Sequence, residues 1–309
     1  MSELLKEQKF GVEIEFTGIT REAAAKITAT TLEVENIIGP IRNCYHTRII
    51  KDASGRDWKV MRDSSISPKR NSGYESLDEY MVEFVTPPLN YCDIEMLQKI
   101  IRKFKEAGAS VNSSCGIHIH IDGVNHSALS LRRMVNFMVK RQDLIYDALN
   151  IGCRKDRWCK PLNKDILDEM KKGKNITKQQ AEKIWYSPAN DGYYGSIDHE
   201  HYNNTRYHGI NLHSYFSKGT VEFRLFNSTL HAGKIKAYVP FCLALSAWAI
   251  ESSDQISFRN ITAYTPTQRV NLMYNILTNR LGLKGEEFKT CRLHMMKNLR
   301  KIAENTNAA

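Results

Sequence analysis

The 309-residue chain lacks any run approaching the ~18 consecutive apolar residues that a membrane-spanning helix requires. Its most apolar segment, Ala237 to Ile250, is too short and is bounded by Lys236 and Glu251. The opening MSELLKEQKF has no apolar stretch of the kind that heads a secretory signal, so a cytoplasmic protein is expected. Seven cysteines, an odd number without a C-x-x-C pair, speak against a disulfide framework. Cys153 and Cys159 lack zinc-site spacing and read as ordinary thiols. Phosphate loops are missing too: there is no G-x-x-x-x-G-K-[ST], no G-x-G-x-x-G and no G-x-S-x-G. A nucleotide would have to be held through metals and basic side chains.

What remains is ordinary globular composition, 42% hydrophobic and 25% charged, which excludes a mainly disordered chain. Lys plus Arg is 44 against 34 for Asp plus Glu, a formal charge of +10 that suits an anionic partner. No internal repeat or low-complexity tract interrupts the chain.

Four segments alternate with period two, the mark of strands with one face on a core. In KFGVEIEFT, Phe10, Val12, Ile14 and Phe16 oppose Gly11, Glu13, Glu15 and Thr17. In MVEFVT, Val82 and Phe84 oppose Glu83. Ile117, Ile119 and Ile121 of CGIHIHID oppose His118, His120 and Asp122, and Val221, Phe223 and Leu225 of GTVEFRLF oppose Thr220, Glu222, Arg224 and Phe226. A fifth candidate, DWKVMRD, runs into Asp63. Helices are expected from Thr20 to about Glu35, from an Asp93 cap to a stop at Gly108, and over about Leu129 to Leu149. Thr177 with Gln180, and Thr265 with Gln268 and Pro266, read as capping boxes. Pro240 should kink the helix after His231 unless that helix starts later.

Residues 151–185 carry ten Lys or Arg and five Asp or Glu, so half of the net charge lies there. Residues 186–208, rich in Tyr, Asn, Asp and Gly, read as a long loop. The expected organisation is one α+β domain. A basic, largely helical insertion covers about 125–205, and a helical C-terminal part runs from about 230 to 309.

Opposite the apolar strand faces stand Glu, His, Asp and Arg rather than the usual Thr, Ser, Lys and Gln. Glu13 and Glu15, two apart on a strand, point the same way. If the four strands share a sheet, these acids converge with Glu83, His118 and Glu222. Two carboxylates ~5 Å apart repel by about 3 kcal/mol at an effective dielectric of ~20, so such a cluster calls for divalent cations. Oxygen-rich ligation with an imidazole points to Mg²⁺ or Mn²⁺, and no thiolate accompanies the acids to suggest zinc. Taken singly, each element also fits a bland role: a wet strand edge for Glu13 and Glu15, surface histidines for His118 and His120, an exposed ion pair for Glu222 and Arg224. Recurrence on separated strands favours the metal site.

The blocks F-G-V-E-I-E-F, M-R-D-S-S, V-E-F-V-T-P-P-L, C-G-I-H-I-H-I and N-L-H-S-Y-F-S-K-G-T-V-E-F-R occur in that order from Phe10 to about Leu230. Together they resemble the amidoligase family of the carboxylate–amine ligase superfamily, which includes glutamine synthetase and glutamate–cysteine ligase. That resemblance implies a single amidoligase-like catalytic domain over 1–309. Its core would be a glutamine-synthetase-like, curved antiparallel β-sheet with helices on the outer face, holding ATP and Mg²⁺ or Mn²⁺. It implies Glu13, Glu15, Asp63 (at the end of the second strand), Glu83, His118 and Glu222 as metal ligands. His120 would lie nearer the phosphates, and Arg224 would contact the transferred phosphoryl group. Arg206 and Asn211 belong to a stretch resembling the family's R-Y-x-x-x-N-L segment and are implied nucleotide contacts. The implied activity joins a carboxylate and an amine through an acyl phosphate, which needs no protein nucleophile; Cys115 then reads as a small residue at a strand start.

Two other classes stay open from the residues alone. The metals could serve a hydrolase. The basic segment with Trp158, Trp185 and Tyr186, or the tail from Lys284 to Lys301, could contact nucleic acid, either as a binding module or to present a modified nucleic acid for reaction.

Overall fold

A computed structural model describes residues 3–71, 74, 76–172, 175–192, 197–253 and 263–307. The fold mixes helices with antiparallel sheet, and the eight-stranded sheet does not close. The strands are β1 (Phe10–Phe16), β2 (Ile37–Ile38), β3 (Arg48–Lys51), β4 (Asp57–Met61), β5 (Val82–Val85), β6 (Gly116–Asp122), β7 (Ile210–Asn211) and β8 (Thr220–Asn227). Backbone contacts divide the chain into two compact units. One comprises Lys9–Ile119 and Phe226–Lys236, and the other Met1–Gln8, His120–Leu225 and Ala237–Ala309.

In the unit that begins at Lys9 the strand order is β2–β3–β4–β5–β1, followed by the start of β6. Its ladders from β2 to β1 are antiparallel, and the register sets Glu15 directly across from Glu83 and Glu13 across from Val85. The alternation seen in the sequence explains the layering. Phe10, Val12, Ile14 and Phe16 are buried, as are Trp58, Val60, Val82 and Phe84. Phe104, on the helix Ile94–Glu106, meets Phe16 at 4.9 Å and Phe84 at 5.1 Å between ring centroids. Leu97, Ile100 and Ile101 extend that buried helix face, spaced three and four residues apart.

The second helix of this layer, Arg21–Thr31, is capped as expected by Thr20, whose side chain accepts from the Ala23 amide. It stops earlier than its composition suggests, because Glu33 turns left-handed at φ 58°. Arg21 is wholly buried and pairs with Asp78 and Glu79 at 2.9 and 2.7 Å. Asp93 does sit before the helix Ile94–Glu106. Its carboxylate, however, accepts from the Asn90 amide and from Arg56 rather than from the helix it precedes. The helix ends where Gly108 turns left-handed at φ 94°.

The other unit pairs β7 with β8 antiparallel, Asn211 across from Glu222. Its helices include Ala128–Leu149, Lys164–Lys171, Lys178–Trp185, His213–Lys218, Pro266–Asn275 and Lys289–Asn307, and most of Ala232–Glu251. Both expected capping boxes form, at Thr177 with Gln180 and at Thr265 with Gln268. The helix with Pro240 begins before the proline, at Ala232, and continues through it. Residues 193–196 of the expected loop lie outside the described residues. Among the described residues, no helix is long and apolar enough to cross a membrane.

His126 is buried in this unit, with Ser130 and Ser246 hydroxyls at 2.9 Å from its two ring nitrogens. Burial, and next the charge of Lys178, push it down to about 4 from an ordinary 6.5. The folded pKa lies below the unfolded one, so the neutral ring's contribution is complete above pH ~6.5 and lost as pH falls toward 4, about 3 kcal/mol in all. His213, also pushed down to about 4 by burial and then Arg206, acts in the same window. Urea midpoints measured from pH 7 to 4 should therefore fall, and the slope should shrink in a His126→Gln variant. An equal slope in that variant would remove His126 from the account.

Candidate functional site

In the unit that begins at Lys9, five of the expected residues come together. Glu13 and Glu15 leave the polar face of β1, Glu83 comes from β5, His118 from β6, and Asp63 from the turn after the strand Asp57–Met61. That strand is the fourth along the chain, not the second, because two short strands precede it. Asp63 itself accepts the Ser65 amide at 2.7 Å, which fixes the turn. Glu13, Glu83 and His118 offer ligand atoms that all lie within 4.8 Å of one another, and so do Glu15, Asp63 and Glu83.

His118 stands between the two β1 acids. Its Nδ1 is 2.9 Å from Glu13 Oε2 and its Nε2 3.9 Å from Glu15 Oε1. A carboxylate at Nδ1 holds the proton there and leaves the lone pair on Nε2, the arrangement that orients an imidazole for a metal. Glu15 is 4% exposed and takes the Gly116 amide at 2.6 Å, so β6 is tied to the same carboxylate. Three glutamates, an aspartate and one imidazole form a hard donor set that fits Mg²⁺ or Mn²⁺. Cys115 is buried and touches Asn112 instead.

The other unit gathers His120, Asn211, Glu222 and Arg224. Arg224 Nη1 donates to Glu222 Oε1 at 2.6 Å, and Asn211 Nδ2 donates to Glu222 Oε2 at 2.6 Å. The pair is not the exposed salt bridge its spacing allowed: Glu222 is 3% and Arg224 4% exposed. Arg224 also donates through Nε to the Trp158 carbonyl at 3.2 Å. His120 Nδ1 lies 3.0 Å from Thr220 Oγ1 and 3.4 Å from Ser214 Oγ. Arg206 lies against Tyr207, whose ring centroid is 5.6 Å from its guanidinium carbon and 5.7 Å from that of Arg224.

Ser214, Thr220, Trp158 and Tyr207 enter this cluster without having been picked out as site residues. Ser214 and Thr220 stand inside a quoted block, eight and two residues before Glu222. By its sequence Trp158 suits contact with a nucleic acid, whereas its contribution here is a backbone carbonyl that no side-chain pattern announces. The two other aromatics expected to serve nucleic acid are interior. Trp185 is 0% and Tyr186 2% exposed, the latter bonded through its hydroxyl to His213 at 2.9 Å. Several lysines of the basic segment are paired, Lys160 with Asp191 at 2.9 Å and Lys172 with Glu169 at 2.6 Å.

A model of the family described as "Putative amidoligase enzyme" matches residues 6–246, a span that holds every residue of both clusters. The chain belongs to this family. No curated protein matches it. The amidoligase match ends within the helix Ala232–Glu251, so the helices from Pro266 onward lie beyond it. The family's name points to a ligase, and nothing in the match supports a hydrolase or a nucleic-acid-binding module.

Proposed function

We propose that this amidoligase is an ATP-dependent carboxylate–amine ligase that forms an amide or isopeptide bond through an acyl phosphate, on the glutamine-synthetase-like core that the family resemblance implies. The observation that carries the proposal is the convergence of Glu13, Glu15, Asp63, Glu83 and His118, a hard donor set built on strands inside the matched span.

A carboxylate resists amines because its charge repels them and its oxide leaves badly. Its attack on the γ-phosphorus of ATP expels ADP and makes the acyl carbon electrophilic; the amine then adds there, and phosphate leaves with the C–O bond. Bound Mg²⁺ or Mn²⁺ would neutralise charge on the phosphates. The protein's part is positioning and charge, since phosphoryl transfer asks little covalent help. Glu13, Glu15, Asp63, Glu83, His118 and Glu222 would hold the cations. Arg224, with its Nη1 donating to Glu222 and its Nε to the Trp158 carbonyl, would meet the transferred phosphoryl group. His120, Arg206 and Asn211 would bind the nucleotide.

Thermal unfolding with ATP and Mg²⁺ or Mn²⁺, separately and together, tests this. A ligand at ~100 times its dissociation constant adds about 2.7 kcal/mol, a shift easily seen. The expected result is stabilisation that needs both nucleotide and metal, with release of ADP and phosphate once a carboxylate and an amine are supplied. Stabilisation by metal alone, indifferent to ATP, would overturn the ligase reading in favour of a metal-dependent hydrolase.

A further inference from the structure

Arg224 is addressed from outside its own strand. The carbonyl that accepts from its Nε belongs to Trp158, in the basic segment that composition set apart from the strands. A carbonyl on a loose loop would leave Arg224 free to swing, and this one is not loose. Arg154 O accepts the amides of Arg157, Trp158 and Cys159 at 3.2, 2.8 and 3.0 Å, folding the turn back on itself. Beyond the turn, the Lys160 amide donates to Tyr207 O at 2.7 Å and the Gly209 amide to Lys160 O at 3.0 Å. Arg224's own amide then donates to Gly209 O at 2.9 Å, so turn, Gly209 and β8 form one hydrogen-bonded stack.

One side chain pins that stack from behind. Tyr146, on the helix Ala128–Leu149, donates its hydroxyl to Cys159 O at 2.8 Å, with Lys160 O at 3.1 Å. Gly209 is built around it: a Cβ there would lie 2.4 Å from the Tyr146 hydroxyl and 2.6 Å from Leu225 Cδ2. Tyr146 and Leu225 are thus packed directly against Gly209, whose carbonyl accepts the Arg224 amide.

We infer that Tyr146 and Trp158 are positioning residues for Arg224: the Tyr146 hydroxyl holds the 157–161 turn so that the Trp158 carbonyl aims the guanidinium group. The basic segment therefore takes part in orienting the phosphoryl-handling arginine. The link to catalysis rests on the role proposed for Arg224, and the geometric part does not.

The test uses the full chain and the Tyr146→Phe variant, which removes one oxygen. In wild-type protein the Arg224 Nε–H, assigned by its disappearance in Arg224→Lys, should exchange slowly with solvent in ¹⁵N-resolved NMR. In Tyr146→Phe its exchange should quicken on the order of tenfold while the melting curve stays cooperative. In the same variant kcat for ATP turnover should fall on the order of tenfold with KM for ATP within about twofold, because aim rather than affinity is lost. Adding Tyr146→Phe to Arg224→Lys, which has no Nε, should change nothing further.

Unchanged Nε–H exchange in Tyr146→Phe overturns the inference. So does unchanged kcat in Tyr146→Phe when Arg224→Ala is inactive, an outcome that leaves the ligase reading standing. Normal turnover in Arg224→Ala sinks the ligase role of Arg224 instead, and the exchange measurement still judges the positioning. If Tyr146→Phe does not fold, Gly209→Ala displaces the same hydroxyl and is read in the same way.

Discussion

Arg224→Ala and Glu222→Gln are each expected to lower ATP turnover by about 10³-fold, the scale on which a preorganised charge acts in a transition state. The two residues are buried together, so each variant takes an opposite charge away from its partner. Without Arg224, Glu222 loses a guanidinium donor at 2.6 Å and retains the Asn211 amide. With glutamine at 222, Arg224 faces an amide where a carboxylate oxygen stood at 2.6 Å. Removing one member of a buried pair destabilises by about 3–5 kcal/mol, so loss of activity must be separated from loss of fold. Arg224→Lys serves that purpose, since it keeps the cation and gives up the second donor direction. It should fold, bind ATP and still turn over poorly. The measurement is phosphate release at saturating ATP alongside far-UV circular dichroism. Wild-type turnover in both Arg224→Ala and Glu222→Gln would overturn the site.

How much of this was readable beforehand depends on where each feature gets its definition. The strands β1, β5, β6 and β8 are long enough to alternate visibly, and both the buried and the polar residues of each were legible as such. The same alternation placed Glu13 and Glu15 with Glu83 and His118, because a common face follows from period two once the strands are neighbours. Short strands carry no such signal. Ile37–Ile38 and Ile210–Asn211 are two residues each, and Arg48–Lys51 shows only a pair of isoleucines. Ile37–Ile38 and Arg48–Lys51 are the two that precede Asp57–Met61, which makes the strand before Asp63 the fourth rather than the second.

Other features depended on partners remote in sequence. Arg56 and the Asn90 amide drew the Asp93 carboxylate away from capping. Composition made Trp185 and Tyr186 candidates for stacking on bases, yet tertiary packing buried both. Asp78 shows the same dependence in its titration. Burial alone would raise its pKa, but Arg62 and Arg21 more than reverse that and hold it below the usual carboxylate value. Neither arginine is near it in sequence.

The acidic cluster makes the second large prediction, and its sign separates a cation site from a hydrogen-bonded network. Glu15 and Glu83 are cross-strand partners, and with Asp63 they offer ligand atoms within 4.8 Å of one another. Like charges set directly opposite on a sheet are destabilising. At ~5 Å and an effective dielectric of ~20, one such pair opposes folding by about 3 kcal/mol. Glu83→Gln keeps the shape and removes that repulsion, so with chelator present the variant should melt several degrees above wild type, at about 2–4 °C per kcal/mol for a chain of this order of size. Adding Mn²⁺ or Mg²⁺ should reverse the order: wild type gains stability through binding, and the variant, short of a charged ligand, gains little. The two melting temperatures therefore cross as the metal concentration rises. A variant that melts below wild type in chelator, and responds to Mn²⁺ by the same amount, would show that Glu83 is held by protein donors alone and would remove the cation from the proposed chemistry.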